Sequence, residues 1–179
     1  MSEDLPVFRY HSDPVSTGSV VREDTTCDLC RLERGWRYAG PAYGRKRAPA
    51  SICPWCVADG SAAEIFDLVF VDTHGSGGVA PGVVDELTKR TPGYTAWQQE
   101  EWCFHCSDAC DYLGPVGSSE LRDLPEEASS AVQGVLADWA QSDEERITLF
   151  EMLRRDGDLT AYLFRCLHCG EFRARCDSA

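Results

Sequence analysis

Cys27-Asp28-Leu29-Cys30, answered 22 residues later by Cys53-Pro54-Trp55-Cys56, is the stretch whose reading decides the fold. Two cysteines with a two-residue spacer let one tight turn present two thiolates to one ion. Two such turns fill the four corners of a tetrahedron, which zinc takes with Zn–S bonds of about 2.3 Å. The gap is slightly longer than the ~15–20 residues usual between such pairs. A redox reading competes, because Ser61 and Glu64 form a capping-box pattern and a helix N-terminus lowers a thiol pKa. A thioredoxin-type site needs one C-x-x-C, however, with no partner upstream. The pattern reads as a four-cysteine zinc site.

Further along, Cys103-Phe104-His105-Cys106-Ser107-Asp108-Ala109-Cys110 carries three cysteines, and Cys166-Leu167-His168-Cys169-Gly170 carries two. A helix over 95–111 would place Cys103, Cys106 and Cys110 at i, i+3 and i+7 on one face. Residues 159–165 and 171–175 read as short strands around a knuckle, with Gly170 free to take a positive φ in the turn. Two helix thiolates and two knuckle thiolates would close a second site across 55 residues. A set that includes His105, or cysteines that pack in the core without a metal, are the alternatives. Cys176 reads as a spare surface thiol.

The chain has 179 residues, 43% hydrophobic and 26% charged, which is ordinary globular composition and long enough for a real core. No run approaches the ~18 apolar residues of a membrane helix. Met1 to Pro6 shows neither a basic nor an apolar signal region, so the expected location is the cytoplasm. Thiols stay reduced there, so ten cysteines argue for metal rather than disulfides. The net charge is −13, and two zinc ions each held by four thiolates would deepen it. Such a surface repels nucleic acid at long range and suits a basic partner. One basic island opposes this: Arg31, Arg34, Arg37, Arg45, Lys46 and Arg47 stand against Glu33 alone. These cations either balance the thiolates or contact phosphates.

The expected class is α+β, with small zinc-ribbon-like knuckles, short antiparallel strands and several helices. One domain over 1–179 is expected, with a first zinc module at 27–56 and an irregular stretch before it. A helix at 95–116 and a hairpin at 159–176 would form the second site. Val83, Val84 and Leu87 share a helical face. Two helices are expected within 117–158, where eleven acidic residues face four basic ones. Ala128, Val132, Val135, Leu136 and Trp139 mark the first; a Ser142–Glu145 capping box opens the second, with Ile147, Phe150 and Leu153 toward the core. Thr73–Gly78 is a glycine loop without the lysine of a phosphate-binding loop. Signatures of zinc hydrolases, deaminases and serine hydrolases are absent, and two closed sites point away from catalysis. Trp97-Gln98-Gln99-Glu100 is the candidate recognition surface.

Phe8-Arg9-Tyr10-His11-Ser12-Asp13-Pro14-Val15 with Thr17-Gly18, then Tyr38-Ala39-Gly40-Pro41, resemble the opening of the CbrC family of bacterial proteins. Cys53 to Glu64, Thr91-Pro92-Gly93-Tyr94 with Trp97 to Trp102, and Tyr162 to Gly170 are similar to its later blocks. The resemblance implies Cys27, Cys30, Cys53, Cys56, Cys106, Cys110, Cys166 and Cys169 as ligands of two zinc ions. Cys103 and Cys176 fall outside that pattern, and the acidic 117–158 segment departs from it. The family's namesake is associated with tolerance to a nuclease colicin. The implied function is protein–protein interaction with a basic partner in bacteriocin or stress tolerance. A zinc-ribbon nucleic-acid binder using Arg31–Arg47, or a zinc-dependent or thiol-redox enzyme, are the alternatives.

Overall fold

The computed structural model describes residues 4–45, 48–73 and 78–179. Most of the glycine loop, at 74–77, and Lys46 with Arg47 lie outside the described residues. The fold is mixed α+β, with short antiparallel strands. The chain divides into two compact units, Met1–Thr95 and Ala96–Ala179. No helix among the described residues is long and apolar enough to cross a membrane.

In the first unit, strand β1 (Val20–Arg22) pairs antiparallel with β2 (Trp36–Tyr38), and β3 (Tyr43–Gly44) with β4 (Leu68–Val69). Helices α1 (Pro54–Ala58), α2 (Ser61–Phe66) and α3 (Pro81–Arg90) complete it. α1 and α3 both open on proline, whose missing N–H costs nothing in a first turn. α2 starts differently from the capping box expected there. Gly60, at φ 80°, is its N-cap, and the Ser61 hydroxyl donates to the Asp59 carboxylate at 2.5 Å. On α3, Val83 and Val84 are half-buried and Leu87 is buried, as their spacing predicts. Phe8, Tyr38, Ile52, Val57 and Phe70 build the core, with Tyr38 and Phe70 edge to face at 5.1 Å. The stretch before residue 26 is tied into this unit by His11, which is fully buried between the Pro92 carbonyl and the Thr17 hydroxyl, each at 2.7 Å.

In the second unit no helix forms over 95–116. Strands β5 (Phe104–His105) and β6 (Asp108–Ala109) form a tight hairpin instead, followed by β7 (Asp111–Val116). Its two-residue turn, Cys106-Ser107, has φ of 51° and 59°. Two positive φ values are what a type I′ hairpin turn needs, and Asn or Gly would ordinarily announce it. β7, β8 (Leu159–Arg165) and β9 (Phe172–Ser178) form an antiparallel sheet with β8 in the middle. β8 is buried from Leu159 to Phe164 because both its faces are covered. Ala161 and Leu163 pack with Val132, Leu136 and Leu153 on one face; Phe164 joins Trp102 and Tyr112 on the other.

Three helices, α4 (Ser118–Leu121), α5 (Glu126–Ala137) and α6 (Asp143–Met152), occupy the region where two are expected. Ala128, Val132 and Leu136 face the core. Trp139 lies beyond the end of α5 and is 43% exposed. Ser142 caps α6 by accepting the Glu145 N–H at 3.2 Å, in agreement with the capping-box pattern. Leu153 is buried and Phe150 half-buried, but Ile147 is 54% exposed and does not point to the core.

Candidate metal centres

The first centre starts from the turn Cys27–Arg31. The Arg31 N–H donates to the Cys27 carbonyl at 3.0 Å, and the Cys27 N–H to the Leu32 carbonyl at 3.0 Å. Arg31 sits at φ 60° to close this loop. Backbone bonds then bring the second pair alongside: Asp28 N–H to the Ser51 carbonyl at 2.9 Å, and Ser51 N–H to the Asp28 carboxylate at 3.0 Å. Cys53 precedes α1 and Cys56 lies within it. Cys27, Cys30, Cys53 and Cys56 thus form a cluster able to hold a metal ion. Its Sγ···Sγ separations are 3.9 Å for Cys27–Cys56, 3.7 Å for Cys30–Cys53 and 3.5 Å for Cys53–Cys56. A tetrahedron with bonds of about 2.3 Å has edges of about 3.8 Å, so the donor set has the dimensions of a zinc–thiolate site.

Two knuckles build the second centre. Cys166–Gly170 repeats the first turn: Gly170, at φ 76°, donates its N–H to the Cys166 carbonyl at 3.0 Å, and the Cys166 N–H goes to the Glu171 carbonyl at 2.9 Å. The β5–β6 hairpin supplies the rest. The cluster is His105, Cys106, Cys166 and Cys169. Three of the four expected cysteines are in place, and His105 stands where Cys110 is expected. The hairpin is the cause. It sets Cys110 opposite Cys103, with the Cys110 N–H on the Cys103 carbonyl at 2.9 Å, and leaves His105 beside the Cys106-Ser107 turn. His105 Nδ1 is 3.3 Å from Cys169 Sγ and 3.5 Å from Cys106 Sγ, and those two sulfurs are 3.9 Å apart. With Zn–N of about 2.0–2.1 Å, a tetrahedral N···S edge is about 3.5 Å, so this set fits as well. His168 adds an outer support, its Nε2 2.8 Å from the buried Asp108 carboxylate, which also accepts the Ala109 N–H at 2.9 Å.

The thiols divide by electrostatics. Burial would raise Cys27, but the N–H groups of Cys30, Cys53 and Leu29 outweigh it and bring it to about 7. At Cys166 burial is likewise overcome, by the N–H groups of Cys169 and His168 and by the His105 side chain, giving about 6. Each knuckle therefore favours one thiolate before any cation arrives. Burial dominates at Cys53, pushed up to about 11. Cys103 is pushed up to about 11, and Cys110 and Cys176 to about 12, chiefly by burial. These three are outside both clusters. Cys176 is half-buried on β9, not a surface thiol.

The other candidate residues separate. Trp97, Gln98 and Gln99 are exposed, with the Trp97 indole N–H on the Gly157 carbonyl at 2.7 Å; Glu100 is buried and leaves that surface. In the basic island, Arg31 closes the first knuckle, Arg34 lies 4.8 Å over the Trp55 ring, and Arg37 pairs with Glu23 at 2.8 Å. Sequence patterning alone misses His105 as a favoured donor, although its place next to Cys106 was the available signal.

No solved structure matches the chain. A UPF0167 protein from Mycobacterium bovis is 47% identical over 98% of this chain and 94% of its own length, as is one from Mycobacterium tuberculosis. Another, from Pseudomonas aeruginosa, is 41% identical over 96% of each. Residues 5–178 match the family described as "Uncharacterised protein family (UPF0167)". With nearly the whole chain covered in every one of these comparisons, the protein belongs to the UPF0167 family.

Proposed function

We propose that this chain is a structural-zinc protein that acts by binding another protein. The observation that carries the reading is the completeness of the two donor sets. Each cluster brings four donors within 4.8 Å of one another, and a filled four-donor shell is the pattern of structural zinc, whereas catalytic zinc keeps a position for water. Zinc is chosen over other ions by the softness of seven thiols and one imidazole. The role of the metals is to clamp knuckles to neighbouring elements, Cys27–Cys30 to the start of α1, and the β5–β6 turn to the β8–β9 turn.

The partner is a basic protein. Ala96–Ala179 holds seventeen acidic residues against seven basic ones, while Met1–Thr95 holds thirteen against ten. The field of the second unit draws a cation-rich partner and raises its association rate. The resemblance to the CbrC family, with its colicin-tolerance association, supports the same class of partner, and a cytoplasmic site of action goes with it. Nucleic-acid binding by Arg31–Arg47 is the second reading, weakened by the intramolecular contacts of Arg31, Arg34 and Arg37.

Elemental analysis of protein purified without added metal tests the zinc reading; two zinc ions per chain are expected, and one or none overturns it. Capture from the native host, followed by salt titration against the captured protein, RNA and duplex DNA, tests the binding reading. A basic protein should be retained. A steep fall of log K with log salt for RNA or DNA, with no protein captured, reverses the choice.

A further inference from the structure

We propose that the two centres are unequal, and that the one in Ala96–Ala179 is an exchange site. Its ion passes to soft-donor acceptors in solution, while the ion in Met1–Thr95 stays. This rests on the zinc reading above and adds to it a division of labour.

Access is the first argument. Ligand exchange at a tetrahedral zinc passes through a five-coordinate arrangement, so the incoming donor must reach the ion while the old shell is still in place. In the first cluster Cys27, Cys53 and Cys56 are 1–3% exposed and belong to the apolar core, and Cys30 is half-buried. In the second cluster Cys106 and Cys169 are exposed, His105 is half-buried, and Cys166 alone is buried. A dissolved acceptor meets two exposed sulfurs at the second centre, and at the first only the half-buried Cys30.

The donor atoms are the second argument. The first shell has four sulfurs. The second has three and an imidazole, which leaves as a neutral ligand without separating charge. Zinc-bound histidines are usually held by a close hydrogen bond from the far ring nitrogen, and losing it costs about 10–100-fold in affinity. Here His105 Nε2 faces Glu171 at 3.6 Å, beyond hydrogen-bond range, and Glu171 is exposed and shared with Arg173 at 3.0 Å. The leaving ligand is lightly anchored.

The third argument is what remains when the ion goes. The donors of the second centre sit on two hairpin turns whose strands stay paired through their own backbone bonds, Phe104↔Ala109 and Arg165↔Phe172. The unit keeps its sheet and core and frees three cysteine sulfurs, two of them at the surface, which take any proton they bind from the incoming donors or from water. In the transfer the acceptor's donors replace one imidazole and three thiolates on Zn²⁺, and nothing is oxidised or reduced.

The test is zinc release from the intact protein to 4-(2-pyridylazo)resorcinol, with total zinc measured beforehand. Two phases of one zinc per chain each are expected, differing in rate by at least about tenfold, the lower edge of the affinity lost with an outer hydrogen bond when the association rate is unchanged. N-ethylmaleimide added after the fast phase should label Cys106 and Cys169 in the wild type and spare Cys53 and Cys56, with near-ultraviolet dichroism unchanged. Cys169→Ser should abolish the fast phase and Cys30→Ser should keep it. Two zinc ions leaving at one rate, or label appearing first on Cys53 or Cys56, overturns the exchange proposal alone. Fewer than two zinc ions at the outset overturns the zinc reading beneath it.

Discussion

Arg31 occupies in the first knuckle the position that Gly170 occupies in the second. Each follows the second cysteine of a C-x-x-C pair, each has positive φ (60° and 76°), and each donates its N–H to the carbonyl of the first cysteine at 3.0 Å. The two turns are the same backbone device built from different residues. The left-handed conformation costs an ordinary L-residue about 1–2 kcal/mol and glycine almost nothing. Arg31→Gly is therefore expected to stabilise the metal-loaded protein by up to about 1 kcal/mol, after glycine's larger unfolded-state entropy takes back part of the gain. Gly170→Ala is expected to destabilise by about 1 kcal/mol. Denaturant unfolding of both variants checks the pair, and shifts of equal sign would show that φ is not what distinguishes the two turns.

Metal content discriminates His105 from Cys110. Cys110→Ser and Cys103→Ser should each retain two zinc ions, because neither sulfur belongs to a cluster. His105→Ala and Cys106→Ser should each weaken or empty one site. Substituting Co²⁺ gives a second view, since its visible bands report the number of thiolates. A Cys110→Ser protein with one metal would restore Cys110 as the fourth donor.

Buried His11 makes stability depend on pH. Burial holds its pKa down from 6.5 to about 4, against the opposing influence of the Pro92 carbonyl. Between these values the unfolded chain binds a proton that the folded chain refuses. This contribution is therefore fully kept above pH 6.5 and lost as pH falls through the window, by about 3 kcal/mol when complete. The difference between wild type and His11→Gln isolates it from the titration of other groups. Wild type should lose stability relative to the variant on acidification from neutral pH, and parallel pH curves would refute the assignment.

Trp102 and Trp139 should respond in opposite ways to the same change. The Trp102 indole is fully buried, donates to the Cys110 carbonyl at 2.8 Å and packs on Phe164 at 5.5 Å and Tyr112 at 5.9 Å. Trp102→Phe removes that donor from the core and should cost about 1–3 kcal/mol. Trp139→Phe, at a half-open position past α5, should stay within about 0.5 kcal/mol. Thermal or denaturant unfolding of both gives the comparison, and equal losses would argue that Trp102 is not anchoring the sheet.

The C-x-x-C pairs at 27–30, 53–56 and 166–169 were legible because their chemistry is local: two residues between two thiols already set a knuckle, whatever surrounds it. The same holds for Gly170, for α3, for the apolar spacing of Ala128, Val132 and Leu136, and for the strands around Cys166–Gly170. The segment 103–110 was not legible. Its cysteines fall at i, i+3 and i+7, a helical spacing, while the turn that overrides it is made by Cys106 and Ser107, neither of which signals positive φ. Pairing of Phe104 with Ala109, and the burial of Trp102 beneath β8, decide the hairpin. The first contact is local, but the second joins residues more than fifty positions apart, and with them goes the choice of His105 over Cys110. The amino-acid sequence by itself determined that thiol pairs would gather into sets able to hold a metal ion, since spacing and donor chemistry suffice for that. Only the tertiary structure decided which donor completes the second set and which centre faces water, because both depend on where strands distant in the chain pack.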